Sequence, residues 1–478
     1  MTPSRKSLFA IIALIIGTTA ALAAMADRGN PAASTPVPTD SIPVNDTGLT
    51  ISGEVVQEKV LKDGDGRVTV ALSLTAPHLI EDASLPIPAA DLVIVLDRSG
   101  SMEGQKLQDA RQAVIRLLDQ LGPDDRLALV TYSDGVQTPS ALVPITANNH
   151  RRLSALVQRV TSGGGTNLGG GLKQGIDLMT QAPGAERQRK VILISDGLAN
   201  QGITDPAALG IMATAAVEHR FSISTVGVGL DFNEMLMTTI ADHGAGSYHF
   251  LENPQAFAHV FEDELSASRR VAATDVKIRI PLGAGVRLIS AGGYPIHHES
   301  EAAVIAPGNL LSGQQRTLYL TFQVPTATER EILLGQVQAD SIMDGKPQTS
   351  ALAQPLTVAC VPDPAAVMAS IKKETWADQV VQEEFSQLKE SVAADIRDGE
   401  KERAQQRIEA YKTKQAAINA VVGSSKVTQN LDTDVQALRE SVDDTFAGPP
   451  AAVAAKKKQA AKSLQYDSYQ KRRDKHQK

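Results

Sequence analysis

Apolar residues recur with different spacings along this chain, and each spacing marks a different region. Between 91 and 268, short unbroken apolar runs alternate with stretches in which apolar residues return every three or four positions. The runs at 92–96, 127–132, 191–194 and 221–228 read as buried strands, with a shorter one near 248–251. Helical spacing marks 151–160, 168–179, 207–219, 233–241 and 254–268. Another helix starts near Glu103, with Leu107, Ala110, Val114, Leu117, Leu118 and Leu121 on its apolar face. This alternation predicts an α/β fold with a doubly wound, mostly parallel sheet over 91–268. Ligands of such sheets bind beyond the carboxyl ends of the strands.

The flanks follow other periods. Residues 49–76 alternate apolar and polar positions around Asp63-Gly-Asp65-Gly66, which predicts a β-hairpin with a turn there. A calcium loop is excluded, because the downstream Glu and the ligand spacing are missing. Short strands are expected again at 276–280, 286–289, 317–324, 333–339 and 350–358, between Gly, Pro and Asn turns. The simplest architecture joins 49–90 to 269–361 as one β-sandwich into which the α/β domain is inserted. From 362 to 447 the pattern turns helical and charged, with Val380, Phe385, Leu388, Val392 and Ile396 on one face and Ile408, Tyr411, Leu431, Val435, Leu438, Val442 and Phe446 on others. A helical hairpin or short bundle follows from that. Gly448-Pro449-Pro450 ends it, and the lysine-rich stretch 448–478 is expected to be disordered.

Composition changes this picture in a few places. A length of 478 residues suggests about three domains. Aromatics make up 4%, which argues against a stacking surface for nucleic acid, and no nucleic-acid partner is expected. The net charge is −7 although the end of the chain is basic, so the body is more acidic than the total. Cys360 is the only cysteine, which excludes a disulfide framework and a thiolate cluster; it is expected in a strand as a small apolar residue. At the start, Arg5 and Lys6 precede an apolar run to Ala24 with small residues at Ala21, Ala23, Ala24 and Ala26. Residues 1–26 therefore read as a signal peptide or signal anchor, followed by a Pro- and Thr-rich linker to 48. That implies export to the periplasm or cell envelope, with membrane association if the segment is retained. The adjacent pair His297-His298 lies in a turn-like stretch and points apart, so it is not a metal site.

The chemistry concentrates at strand ends. The run 92–96 closes in Asp97, and Ser99 and Ser101 follow at alternate positions with Gly100 between them. One carboxylate and two neutral oxygens in a tight loop suit a hard divalent cation such as Mg2+. Gly163-Gly164-Gly165 exposes Thr166, and 191–194 runs into Ser195-Asp196-Gly197, a second strand ending in an acid.

With these three loops the chain resembles the von Willebrand factor A domain family. That family's metal-ion-dependent adhesion site reads Asp-x-Ser-x-Ser, then a Thr, then an Asp after a later strand. Asp97, Ser99, Ser101, Thr166 and Asp196 match it at every position. The resemblance implies a metal site holding Mg2+, with Mn2+ or Ca2+ as alternatives. It also implies a protein partner whose Asp or Glu completes the coordination, and a last helix (254–268; Phe257, Val260, Phe261, Leu265) whose position reports the state of the metal. No enzyme is expected. Ser99 is not in a Gly-x-Ser-x-Gly elbow, Ser370-x-x-Lys373 lacks companion motifs, and the glycines at 163–171 lack a phosphate-loop ending. Two roles remain open: metal-dependent binding or adhesion, and a scaffold or co-chaperone subunit of an ATPase or envelope complex.

Overall fold

The computed structural model describes residues 48–79, 89–184, 187–251, 260, 264 and 270–473. The signal segment, nearly all of the linker, most of 254–268 and the last five residues lie outside the described residues.

Six strands form the central sheet: β1 (Ala90–Asp97), β2 (Arg126–Tyr132), β3 (Val136–Pro144), β4 (Gln188–Ser195), β5 (Ser222–Val228) and β6 (Ala245–Leu251). Their order is β3-β2-β1-β4-β5-β6, and every pair is parallel except the antiparallel edge β2–β3. Around them lie α1 (Gln105–Gln120), α2 (Ala147–Gln158), α3 (Leu168–Gln181), α4 (Pro206–Ala213) and α5 (Glu234–His243). Polar caps begin four of these helices, with Thr146, Asn167, Asp205 and Asn233 each accepting a first-turn N–H. Alternate residues of β1 serve opposite faces. Leu92, Ile94 and Leu96 pack with Leu107, Val114 and Leu117 of α1, while Val93 and Val95 pack with Leu172 and Ile176 of α3. Each such buried side chain contributes about 1.5–3 kcal/mol, so the central strands are the least movable part of the domain.

The strand β3 has no counterpart in the apolar pattern. It is an edge strand whose side chains are mostly exposed or half-buried, and Pro139 is tolerated there because an edge needs only one side of its ladder. The helix expected over 207–219 breaks at Thr214 into α4 and a short turn, Ala215–Glu218.

The flanking strands form the sandwich. Thr50–Val55 and Arg67–Thr75 pair antiparallel as the alternation predicts. Arg67–Thr75 also pairs with Gln315–Gln323, Leu72 opposite Leu318, so segments on either side of the α/β domain share one sheet. Between the hairpin strands, Lys59–Leu61 leaves for another sheet and pairs parallel with Leu356–Val361. The run at 333–339 is split between Glu331–Gly335 and Gln338–Met343, which lie in different sheets. His297 and His298 lie in a strand, His297–Glu299, rather than a turn. Cys360 is a buried free thiol in Leu356–Val361.

The C-terminal helices include α6 (Phe385–Asp398), Lys401–Val422 and Val435–Thr445, with π-helical turns at Val380–Glu384 and Asn430–Asp434. Their core joins Val392, Ile396, Ile408, Leu438 and Val442. The expectation of disorder after 448 is overturned: Pro450–Arg472 is one long helix, α7. Its lysines obscured an alanine-rich sequence of high helix propensity, and they are matched by acids elsewhere in the fold: Lys456 by Asp444, Lys458 by Asp231 and Lys462 by Glu234. Tyr469 is buried on the α/β domain, where its hydroxyl accepts the Tyr248 N–H. Scarce as aromatics are, Phe232, Tyr248, Phe250, Tyr466 and Tyr469 form one cluster at this joint.

Candidate metal centre

All five oxygen-bearing residues lie at the carboxyl edge of the sheet. Asp97 ends β1, and it is fully buried. Its Oδ1 accepts the Ser99 N–H at 2.8 Å, and its Oδ2 accepts the Ser195 hydroxyl at 2.8 Å. Burial pushes the Asp97 carboxyl above its usual range against these hydrogen bonds, and the charge of Asp196 adds to that push. The Ser99 and Ser101 hydroxyls are 3.1 Å apart. Ser101 Oγ donates to Asp196 Oδ1 at 2.7 Å, which joins the β1 and β4 loops.

Thr166 arrives from the glycine loop. Gly163 and Gly164 have φ of +151° and +82°, a region that L side chains rarely enter. A side chain at Gly164 would also collide with the Asp134 carboxylate. The loop is fastened to the first one by Gly100 N to Gly164 O (3.0 Å) and Gly163 N to Arg98 O (2.9 Å). Thr166 N donates to Asn200 Oδ1 at 2.8 Å, tying it to the loop after β4. A Cβ at Gly197 would meet Ser101 Oγ at 3.1 Å and Thr166 Oγ1 at 3.5 Å. These two hydroxyls therefore flank one point beside Asp196.

The donor set is two carboxylates and three hydroxyls, all oxygen, beside a glycine whose missing side chain leaves room. It fits a hard divalent cation that keeps some of its water. Among the described residues, no three His, Cys, Asp or Glu side chains converge into a metal cluster of another kind.

Residues 91–263 match the model of the von Willebrand factor type A domain. The α/β domain is thus similar to von Willebrand factor type A domains over these residues. A von Willebrand factor type A protein from Catenulispora acidiphila has a TM-score of 0.66 at 18% identity, over 90% of this chain and 98% of that one. The ArnB paralog VWA2 from Sulfolobus acidocaldarius has a TM-score of 0.54 at 16% identity, over 87% of this chain and 98% of that one. At such identities the likeness is one of fold. Among curated proteins, an uncharacterized Synechocystis protein is 27% identical over 286 residues, 58% of this chain and 66% of that protein. Inter-alpha-trypsin inhibitor heavy chain H3 of Mesocricetus auratus is 32% identical over 192 residues, 39% of this chain and 21% of that protein. The chain thus spans between a fifth and two thirds of these relatives.

The A domain's edge also holds residues that the motif does not include. Lys106, on the first turn of α1, places Nζ 2.5 Å from Asp196 Oδ2. In sequence it reads as a solvent-facing position of an amphipathic helix, so nothing marks it. Asp134 accepts Gly165 N–H at 2.7 Å and Gln201 Nε2–H at 2.5 Å, and these bonds, the Gly165 one foremost, hold its carboxyl below the usual range. Tyr132 is buried beneath the site, and its hydroxyl donates to Ile194 O at 3.0 Å. Of the expected last helix, Val260 and Glu264 are helical and buried; Phe257, Phe261 and Leu265 lie outside the described residues.

Proposed function

We propose that this protein binds a protein partner through a divalent cation, with Asp97, Ser99, Ser101, Thr166 and Asp196 holding the ion and an Asp or Glu of the partner completing its shell. The reading rests on one observation, the convergence of two carboxylates and three hydroxyls at the carboxyl edge of the sheet. Neutral hydroxyls leave much of the ion's charge unspent, so it attracts an external carboxylate. Two features of the same edge favour a protein over a small ligand. Leu198 and Ile203, in the loop after Asp196, and Met235, at the start of α5, are exposed apolar side chains that a partner surface would cover.

The role in this reading is binding rather than catalysis, because these residues are spent on holding an ion. The reading of residues 1–26 as a signal peptide or signal anchor supports a location in the periplasm or cell envelope. Among the described residues, no helix is long and apolar enough to cross a membrane.

Calorimetric titration and thermal melting with Mg2+ test the site, and capture of partners with and without chelator tests the use. A ligand at about a hundred times its Kd stabilises the folded state by about 2.7 kcal/mol. Asp97→Ala should abolish that shift, while Thr166→Ala should keep much of it and lose partner binding. Equal shifts in wild type and Asp97→Ala would place the ion elsewhere. A partner retained in EDTA would end the metal-bridged reading.

A further inference from the structure

At the amino ends of the parallel strands the A domain meets both the sandwich and α7, and the three enclose a cavity of about 330 Å3. That volume lies in the range of small-ligand sites. The eight residues of β4, rising about 3.3 Å each, put it roughly 20 Å or more from the metal edge.

Its lining is rich in cations. Arg189, Lys190, Arg270, Arg316 and Arg473 face it, and Glu264 is the lining carboxylate among the described residues. Glu264 is already engaged: Lys190 Nζ and His249 Nε2 lie 2.6 Å from its oxygens, and Ser224 Oγ donates at 2.9 Å. Arg473 is paired with Asp242. Arg189, Arg270 and Arg316 are left without a carboxylate in ion-pair range among the described residues.

Arg316 is only 8% exposed. It donates to the main-chain oxygens of Pro307 (2.5 Å) and Asn309 (3.1 Å), and its Nε has no partner. Arg189 lies in the wall, but its guanidinium is turned to the His219 and Met179 carbonyls and the Phe221 ring, which do not line the cavity. Carbonyl oxygens satisfy N–H groups but do not cancel a net charge, and a buried ion without a counter-charge is costly. A lysine could relieve the cost by losing its proton. A guanidinium cannot. The remaining relief is an anion from outside, and the guanidinium fork matches the oxygens of phosphate and carboxylate.

We infer that this cavity binds a small multivalent oxyanion, held by Arg316 with the exposed Arg270 at its mouth. Because its walls come from the A domain, the sandwich and α7, the ligand holds all three together and stabilises them as one body.

The full chain in EDTA, titrated calorimetrically at constant ionic strength with inorganic phosphate and with tricarballylate, tests this. Saturable one-to-one binding of either anion is expected, with a rise of several degrees in melting temperature, and whichever binds more tightly names the ligand's acid group. Arg270→Gln and Arg316→Gln should each weaken binding at least tenfold. Arg270 is exposed, so its variant keeps the test alive if Arg316→Gln does not fold. Arg159→Gln, an exposed arginine that does not line the cavity, should bind as wild type. The Asp97→Ala chain should also bind as wild type, which separates this site from the metal edge. No saturable binding of either anion, or an equal loss in Arg159→Gln, overturns the inference.

Discussion

Where α7 crosses α5, every buried carboxylate meets cations; at the carboxyl edge of the sheet one of the two does not. Lys462 Nζ is 2.9 Å from Glu234 Oε2, both side chains are 6% exposed, and the ammonium sits 3.7 Å from the Phe232 ring centre. Arg473 pairs with Asp242 and stacks 3.9 Å from the Tyr294 ring centre. Around the loops at the sheet's carboxyl edge, by contrast, Asp196 meets one lysine while the buried Asp97 is bonded only by hydroxyl and N–H donors among the described residues. In the first region each acid is held by cations from the C-terminal helices, so these charges fix how α7 docks. The second is short of positive charge, so it is organised to receive some. The same side-chain types serve architecture in one place and, in the proposed function, binding in the other, and the balance of charge distinguishes them.

The largest effect expected from this contrast is at the joint. Asp242→Ala strands the buried Arg473, and breaking one side of a buried pair costs about 3–5 kcal/mol, to be read as a lowered urea midpoint. Asp97→Asn in EDTA should cost less than about 1 kcal/mol, since the charge it removes is one that burial already disfavours. Equal losses in the two variants would erase the distinction between the regions.

A buried lysine without a paired acid among the described residues sharpens it. Lys389 is 5% exposed and rests 5.5 Å from the Phe385 ring centre. Burial, with the charge of Lys471 beside it, lowers its pKa from 10.5 to about 8. The unfolded chain keeps this proton up to the ordinary lysine range, so between about pH 8 and 10.5 it binds more protons than the folded chain, and stability rises with pH there. Below pH 8 the penalty is present in full. Lys389→Met should stabilise the protein by about 2 kcal/mol at pH 7, and the gain should fade as the pH approaches 10.5. A gain that is flat across that window in chemical denaturation would show that packing, not charge, is its source.

The smallest effect concerns Lys106, whose ammonium meets Asp196 where the ion would bind. Removing a like charge beside a divalent cation should tighten Mg2+ binding to Lys106→Met about tenfold, or about 1.4 kcal/mol. Weaker Mg2+ binding in calorimetry would instead make Lys106 a positioning group for Asp196.

What the sequence determined by itself was whatever depends on neighbours along the chain. Apolar runs marked β1, β2, β4 and β5, because burial on both faces demands unbroken hydrophobicity. The spacing of Asp97, Ser99 and Ser101 placed three oxygens in one loop, and each of the partner loops carried its own acid or hydroxyl. The helical faces at 380–396 and 431–442 were legible for the same reason. Tertiary structure decided the features whose energetics come from distant partners. The edge strand β3 owes its form to the Arg126–Tyr132 ladder rather than to its own polar sequence. Lysines that in isolation favour a solvated tail became part of α7 once Asp231, Glu234 and Asp444 were brought opposite them. Lys106 joined the candidate metal edge only through Asp196, ninety residues away. The arginines of the cavity converge from the A domain, the sandwich and the end of α7. Hydrophobic periodicity is a local property that a linear chain displays, whereas the partner of a charge is set by the fold that brings it near.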